Sequence, residues 1–293
     1  MKQLENDYLK ITVEERGAEL SSLFDKGRQK DLLWSGDAAF WGYHAPVLFP
    51  IVGMVNGEEY RYEGKTYHTR QHGFARQSDF VFLKETENSL TFRLTQNEET
   101  LEKYPFDFCL DITYELWDSE LTVKWDVTNP SAEETMYFSI GAHPAFRVPL
   151  EDGDRKEDCY VLFHGKDQLS YILVDLSVTA ADPSHVYTMK LDDGYLKLER
   201  HLFDIDTFIF ENGQVEKVSV CGPDRKPYIT VSCPGFPYFG LWTKSDEAPF
   251  VCLEPWFGRL DDKGFTGELP EKTGIRKLEP GDTFKTSYKI AVE

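Results

Sequence analysis

Two histidines and one glutamate stand in stiff, aromatic-rich settings: His72 in Gln71-His72-Gly73-Phe74-Ala75-Arg76, His143 in Gly141-Ala142-His143-Pro144-Ala145-Phe146, and Glu254 in Leu253-Glu254-Pro255-Trp256-Phe257-Gly258. Two imidazoles and a carboxylate can give one small polar substrate a donor, an acid and a base, with aromatic surface alongside to hold it. A histidine on a strand or turn is more often a hydrogen-bonded structural group, and His44, His68, His164, His185 and His201 are read that way. His72 differs because Gly73 lets the backbone approach a ligand and Arg76 adds a planar cationic donor fork. His143 differs because Pro144 restricts it to an extended conformation and Gly141 removes bulk beside it.

Glu254 has two readings. Its neighbours Cys252, Leu253, Pro255 and Trp256 would desolvate a carboxylate, raise its pKa and make it a better base. A strand-end glutamate facing water is the other reading. Trp256, Phe257 and Trp41 are either core or a platform on which the C–H face of a sugar stacks, with Trp256 the first choice for the platform.

Other constellations fail. There is no Gly-x-Gly-x-x-Gly, no phosphate-binding loop and no Gly-x-Ser-x-Gly, so nucleotide chemistry and serine hydrolysis have nothing to rest on. His68 and His72 have helical ligand spacing, but Thr66, Tyr67, Thr69 and Gly73 are not helical neighbours, so no metal site and no cofactor are expected. Five cysteines (Cys109, Cys159, Cys221, Cys233, Cys252) are scattered and never form Cys-x-x-Cys, which predicts reduced, mostly buried thiols. With 51 acidic against 32 basic residues the formal net charge is -19, so nucleic acid and anionic membranes are expected to be repelled. The opening Met1-Lys2-Gln3-Leu4-Glu5-Asn6-Asp7 lacks the apolar core of a signal peptide, and no run of ~18 apolar residues occurs, which predicts a cytoplasmic protein.

The elements that must position these residues read as strands. Aromatic residues make up 14% of the chain, and apolar residues alternate with polar ones wherever a period can be followed. Phe108, Leu110, Ile112, Tyr114 and Leu116, then Leu121, Val123, Trp125 and Val127 after Asp118-Ser119, predict an antiparallel hairpin. Further strands are expected at 8–13, 89–95, 135–140, 160–163, 207–210, 215–221, 228–232, 239–243 and 284–292, and no capped helix. The charged run Glu151 to Asp158 reads as a solvated loop. Many short strands divided by turn residues predict an all-β fold, a large antiparallel β-sandwich built as one domain over residues 1–293. The oligomeric state stays open, a homodimer among the options.

Taken in order, the three motifs resemble the aldose 1-epimerase (galactose mutarotase-like) family. The Gly-Ala-His-Pro-Ala-Phe form and the stretch Pro46-Val47-Leu48-Phe49-Pro50-Ile51-Val52-Gly53 look most like its LacX-type branch. The resemblance implies a β-supersandwich and cofactor-independent interconversion of the α and β anomers of an aldohexose. It implies Glu254 as the base at the anomeric hydroxyl, His143 as the acid at the ring oxygen, and His72 as a hydrogen-bonding partner of the sugar. It further implies Asp206 as a ligand of sugar hydroxyls, with Asp204 as fallback, and Arg76 as the arginine that follows the first histidine. Where many relatives carry an arginine after Phe-Pro-Ile-Val-Gly, this chain has Met54, which bears on the sugar accepted. Two alternatives follow: a sugar-binding or regulatory protein with little catalysis, and an epimerase of hexose 6-phosphates in which Arg76 is helped by Arg70 or Arg259.

Overall fold

The alternation around Asp118-Ser119 becomes a long hairpin, Cys109–Trp117 against Glu120–Thr128, in which Ile112 faces Trp125 and every second residue is buried. A computed structural model describes residues 1–293. This hairpin lies toward one end of a nine-stranded antiparallel sheet, with Ser89–Thr95 and Val81–Glu85 on one side. On the other side follow Thr283–Val292, Pro227–Ser232, Lys217–Cys221, Tyr160–Phe163 and Tyr195–Lys197. A second sheet runs from Ala180–Lys190 through Gln168–Asp175, Phe208–Phe210, Tyr238–Trp242, Phe250–Phe257 and Ile140–Ala142 to Val47–Leu48, and Ala145–Arg147 also pairs with Phe250–Phe257. The first 31 residues contribute a four-stranded antiparallel sheet of their own.

One apolar cluster of 65 buried residues joins the two large sheets and reaches from Leu4 to Val292. Its sandwich character follows from side-chain period two. In the second sheet Phe208, Phe210, Phe239, Leu241, Val251, Leu253 and Phe257 point into that cluster. The intervening residues Ile209 and Trp256 belong to a second apolar cluster, and Phe250 and Cys252 to a third, on the opposite face. Both faces of Phe250–Phe257 are therefore covered, and all eight of its residues are buried. Glu254 shares the parity of Cys252 and Trp256, so the fold carries a carboxylate into the interior on the face away from the main core.

Three features depart from the sequence reading. The expected strand 135–140 divides at Ser139: Met136–Phe138 pairs with Arg276–Leu278, whereas Ile140–Ala142 joins the second sheet. Ser139 itself is occupied elsewhere, its amide donating to the Pro50 carbonyl and its hydroxyl accepting from the Val52 amide. A short helix, Glu98–Lys103, is present and capped by Asn97 and Thr100, which exchange side-chain and backbone hydrogen bonds at 2.8 and 2.9 Å. It is too short to display helical periodicity. Finally, the run Glu151 to Asp158 is not wholly solvated: Lys156 is buried, and its ammonium donates to Thr243 Oγ1, Ser245 O and Ala248 O.

Candidate active site

The second sheet's outer face opens into a cavity of about 340 Å³, within the range of small-molecule sites (roughly 300–1,000 Å³). Glu254, His143, His72, Arg76, Asp206 and Trp256 all line it. Sequence motifs 182 positions apart at their extremes, His72 to Glu254, thus converge on one space.

Glu254 enters from the middle of Phe250–Phe257, directly opposite Gly240. His143 lies in the short link between Ile140–Ala142 and Ala145–Arg147, both of which pair with Glu254's own strand. That arrangement brings His143 Nε2 to 3.3 Å from Glu254 Oε2, with both side chains more than 90% buried. Burial pushes the Glu254 carboxyl well above its ordinary pKa, the nearby Asp206 adds to this, and the Trp256 indole works the other way. Burial pulls His143 down to about 3, its own backbone offsetting this in part and Arg76 adding to the fall. Both shifts run toward the uncharged pair, a carboxylic acid beside a neutral imidazole. One proton transfer across the 3.3 Å contact converts it to carboxylate and imidazolium without exchange with solvent.

Aromatic rings enclose His143. Trp41 stacks on it at 4.7 Å between centroids and 28° between planes, while Trp242 and His72 meet it edge to face at 5.5 and 5.6 Å. Trp41 comes from the segment after Trp34, whose indole N–H donates to the Trp41 carbonyl.

His72 is held by a reciprocal pair of bonds to Gly53. The His72 amide donates to the Gly53 carbonyl at 2.8 Å, and the Gly53 amide donates to His72 Nδ1 at 3.1 Å. An accepting Nδ1 leaves the ring proton on Nε2. Burial, then His143 and then Arg76, lower the His72 pKa well below its ordinary value, so the ring is a neutral N–H donor.

Two glycines act differently from the sequence expectation. The space beside Gly73 is filled by the Phe49 carbonyl, which a Cβ would approach to 2.4 Å, so this glycine serves chain packing and not approach to a ligand. The room left by Gly141 is taken by Trp256, whose Cδ1 would lie 2.5 Å from an added Cβ. Gly240 on the other neighbouring strand meets the far side of the same indole at 2.4 Å. Trp256 lies across both glycines and packs with Leu48, Val52, Ile209 and Leu260, so it is core and cavity wall together.

Arg76 forms no ion pair. Its Nη2 donates to the Gln71 carbonyl at 2.9 Å, and its guanidinium lies 4.9 Å from the centre of the Tyr43 ring. Asp206 accepts from the Thr207 hydroxyl at 2.7 Å. The fallback Asp204 is exposed and faces His201, outside the cavity. Arg259 is also elsewhere, bound to Glu211 and Asp262 at 2.8 and 2.7 Å. Arg70 is exposed and does not line the cavity.

Sequence reasoning missed Trp242 and Lys244. Trp242 has a period-two signal, sharing the parity of Gly240 on the strand opposite Glu254. Lys244 has none; it lines the cavity from an exposed position without an ion-pair partner, on the segment that Lys156 tethers. Met54 also lines the cavity, at the position noted for its missing arginine.

The β-sandwich of two large antiparallel sheets is the fold of galactose mutarotase-like proteins. The aldose 1-epimerase family model matches residues 2–264, and the chain belongs to that family. It is 31% identical over 295 residues to the chromosomal protein LacX of Lactococcus lactis subsp. lactis, covering 99% of this chain and 98% of that protein. Among solved structures, a galactose mutarotase related enzyme from Lactobacillus acidophilus superposes with a TM-score of 0.93 at 34% identity, covering 100% of this chain and 97% of the other. A galactose mutarotase-like protein from Lactobacillus casei ATCC 334 gives 0.90 at 32% identity, with 100% of each chain covered. No helix is long and apolar enough to cross a membrane.

Proposed function

We propose that the protein is a cofactor-independent aldose 1-epimerase that interconverts the α and β anomers of a free aldohexose, working as one domain in the cytoplasm. The observation that carries this reading is the His143–Glu254 pair, buried at the cavity wall with 3.3 Å between Nε2 and Oε2. In its ionised form the pair holds a carboxylate base and an imidazolium acid side by side, which is what anomer exchange requires. Glu254 takes the proton of the C1 hydroxyl while His143 protonates the ring oxygen. The C1–O5 bond breaks to the open aldehyde, rotation about C1–C2 presents the other face, and the same groups run in reverse to close the ring. Positioned acid and base groups contribute ~10²–10⁴-fold, and no nucleophile is needed. His72 donates from Nε2 to a sugar oxygen, Asp206 accepts from hydroxyls, and Trp256 supplies apolar wall.

The test is NMR saturation exchange, or polarimetry on freshly dissolved α-anomers, across glucose, galactose and related hexoses. Acceleration over buffer that Glu254→Gln abolishes and His143→Asn lowers strongly supports the reading. Binding by calorimetry with no exchange on any sugar would replace it with a sugar-binding role.

A second reading rests on Lys244. With Arg76 it gives the cavity two cations that pair with no carboxylate, in a chain of net charge -19. A phosphorylated hexose would use both charges. Glucose and glucose 6-phosphate compared at equal concentration separate the readings, since a preference for the phosphate that Lys244→Met erases favours the second.

A further inference from the structure

Cys252 sits two residues before Glu254 on the same strand, so period two points both side chains to the same face of the sheet. Its sulfur, a ring nitrogen of His143 and a carboxylate oxygen of Glu254 all lie within 4.8 Å of one another, and all three residues are buried. Sulfur, imidazole and carboxylate are the donor set of tetrahedral zinc. We propose that Cys252, His143 and Glu254 form an inhibitory site for a thiophilic divalent cation of the zinc type, with the cavity supplying the fourth coordination position.

Three observations support it. The first is geometry: with all three donor atoms within 4.8 Å of one another, a point exists about 2.8 Å or less from each, against zinc bond lengths of roughly 2.0–2.3 Å. Metal binding requires side-chain rotation to close the remaining gap. Second, two of the buried side chains have a polar atom without any hydrogen-bond partner, His143 Nδ1 and Glu254 Oε1, a lone pair each that a cation can take, at the expense of the Nε2–Oε2 contact if the side chains turn. The third is charge. A divalent cation with one thiolate, one carboxylate and a neutral imidazole sums to zero, so the loaded site adds no net charge to a buried region. The net charge of -19 draws cations toward the protein from outside.

The proton balance is explicit. Cys252 is a thiol whose pKa is raised by burial and by Glu254, Lys156 acting in the opposite direction. Binding therefore releases the thiol proton together with the proton shared by His143 and Glu254, and affinity rises with pH. No electron moves. The consequence for turnover rests on the epimerase reading: the metal occupies the base and the acid at once. The binding itself does not depend on that reading.

The experiment titrates the reduced full-length protein with Co²⁺ under anaerobic conditions. Wild type gives a thiolate-to-cobalt charge-transfer band that Zn²⁺ displaces, with half-saturation in the micromolar range. Cys252→Ala lacks the band and binds Zn²⁺ at least tenfold more weakly, and Cys252→Ser, which preserves volume, behaves alike if the alanine variant folds poorly. Zn²⁺ inhibits anomer exchange in wild type, and inhibition, scaled to each variant's own metal-free rate, shifts at least tenfold in the Cys252 variants. A band that persists without Cys252, equal Zn²⁺ inhibition in both proteins, or half-saturation above a millimolar overturns the proposal. If metal-free wild type exchanges no sugar, the epimerase reading fails while the cobalt band still decides the site.

Discussion

Gly53 and His72 bind each other through both of their available groups: the glycine carbonyl takes the histidine amide proton, and the glycine amide is taken by His72 Nδ1 at 3.1 Å. This fixes the tautomer and turns the imidazole into a donor with one free N–H. His72→Asn keeps an acceptor for the Gly53 amide but loses the distal donor, so it is expected to fold normally and raise KM about tenfold, with a smaller loss in kcat. His72→Gln keeps a distal amide donor and loses the Gly53 contact, so thermal unfolding falls while KM stays closer to wild type. Steady-state kinetics and melting curves on both variants check this split; equal KM values in the two would show that the tautomer is not what matters.

Glu254 is stored at a cost. Its folded-state pKa is raised, so its contribution to stability is fully present below the ordinary carboxylate value of 4.5 and is lost as pH rises through the folded value. Glu254→Gln removes the ionisable group and should gain about 1 kcal/mol or more near neutral pH, roughly 2 °C in Tm, while turnover disappears. Melting at pH 5 and pH 8 is the check. The gain should grow with pH, and a variant less stable than wild type at pH 8 contradicts the buried-carboxyl account.

On the epimerase reading the His143–Glu254 pair also sets the pH dependence of turnover. Activity needs the pair with its single shared proton, so the rate falls when a second proton is added and when the last is removed. His143 is pulled down to about 3, so the acid limb is expected far below the ordinary histidine value of 6.5. The stability arithmetic has the same origin. His143 has a folded pKa below its unfolded one, so its contribution is present above 6.5 and is lost as pH falls toward 3. An acid limb near 6.5 would mean that a more exposed group controls turnover.

How much of this was legible depends on range. The hairpin at Asp118-Ser119 and the strands 89–95 and 160–163 were readable because one face is buried and the other wet, which writes period two into the residues. Ala180–Lys190 was not, because as an edge strand it exposes residues 183–188 in succession and carries no alternation. Phe250–Phe257 is buried on both faces and equally lacks a pattern, so the parity that groups Cys252 with Glu254 and Trp256 emerges only from the fold. His72, His143 and Glu254 announced themselves through their Gly and Pro neighbours. Trp242 reaches the cavity through strand pairing with a distant segment and Lys244 from the bend beyond that strand, and Gly73 and Gly141 make room for Phe49 and Trp256, partners no local window contains.

Trp41 supplies the last expectation, because its indole face covers the imidazole that becomes charged on the epimerase reading. The ring stack at 4.7 Å and 28° places the indole quadrupole over His143, and an aromatic face stabilises a cation by about 0.5–2 kcal/mol. The uncharged pair gains nothing from this, whereas the imidazolium does, so the contribution appears only when Glu254 has given up its proton. Trp41→Phe retains a smaller face and should cost a few-fold in kcat; Trp41→Leu fills space without a π-system and should cost about tenfold, with KM little changed. Fluorinated tryptophans placed at this position by nonsense suppression weaken the quadrupole at nearly constant shape, so log kcat should fall stepwise with each fluorine. A flat series would reduce Trp41 to a packing residue and leave the reactive ion pair to be stabilised by the Coulomb attraction between His143 and Glu254 alone.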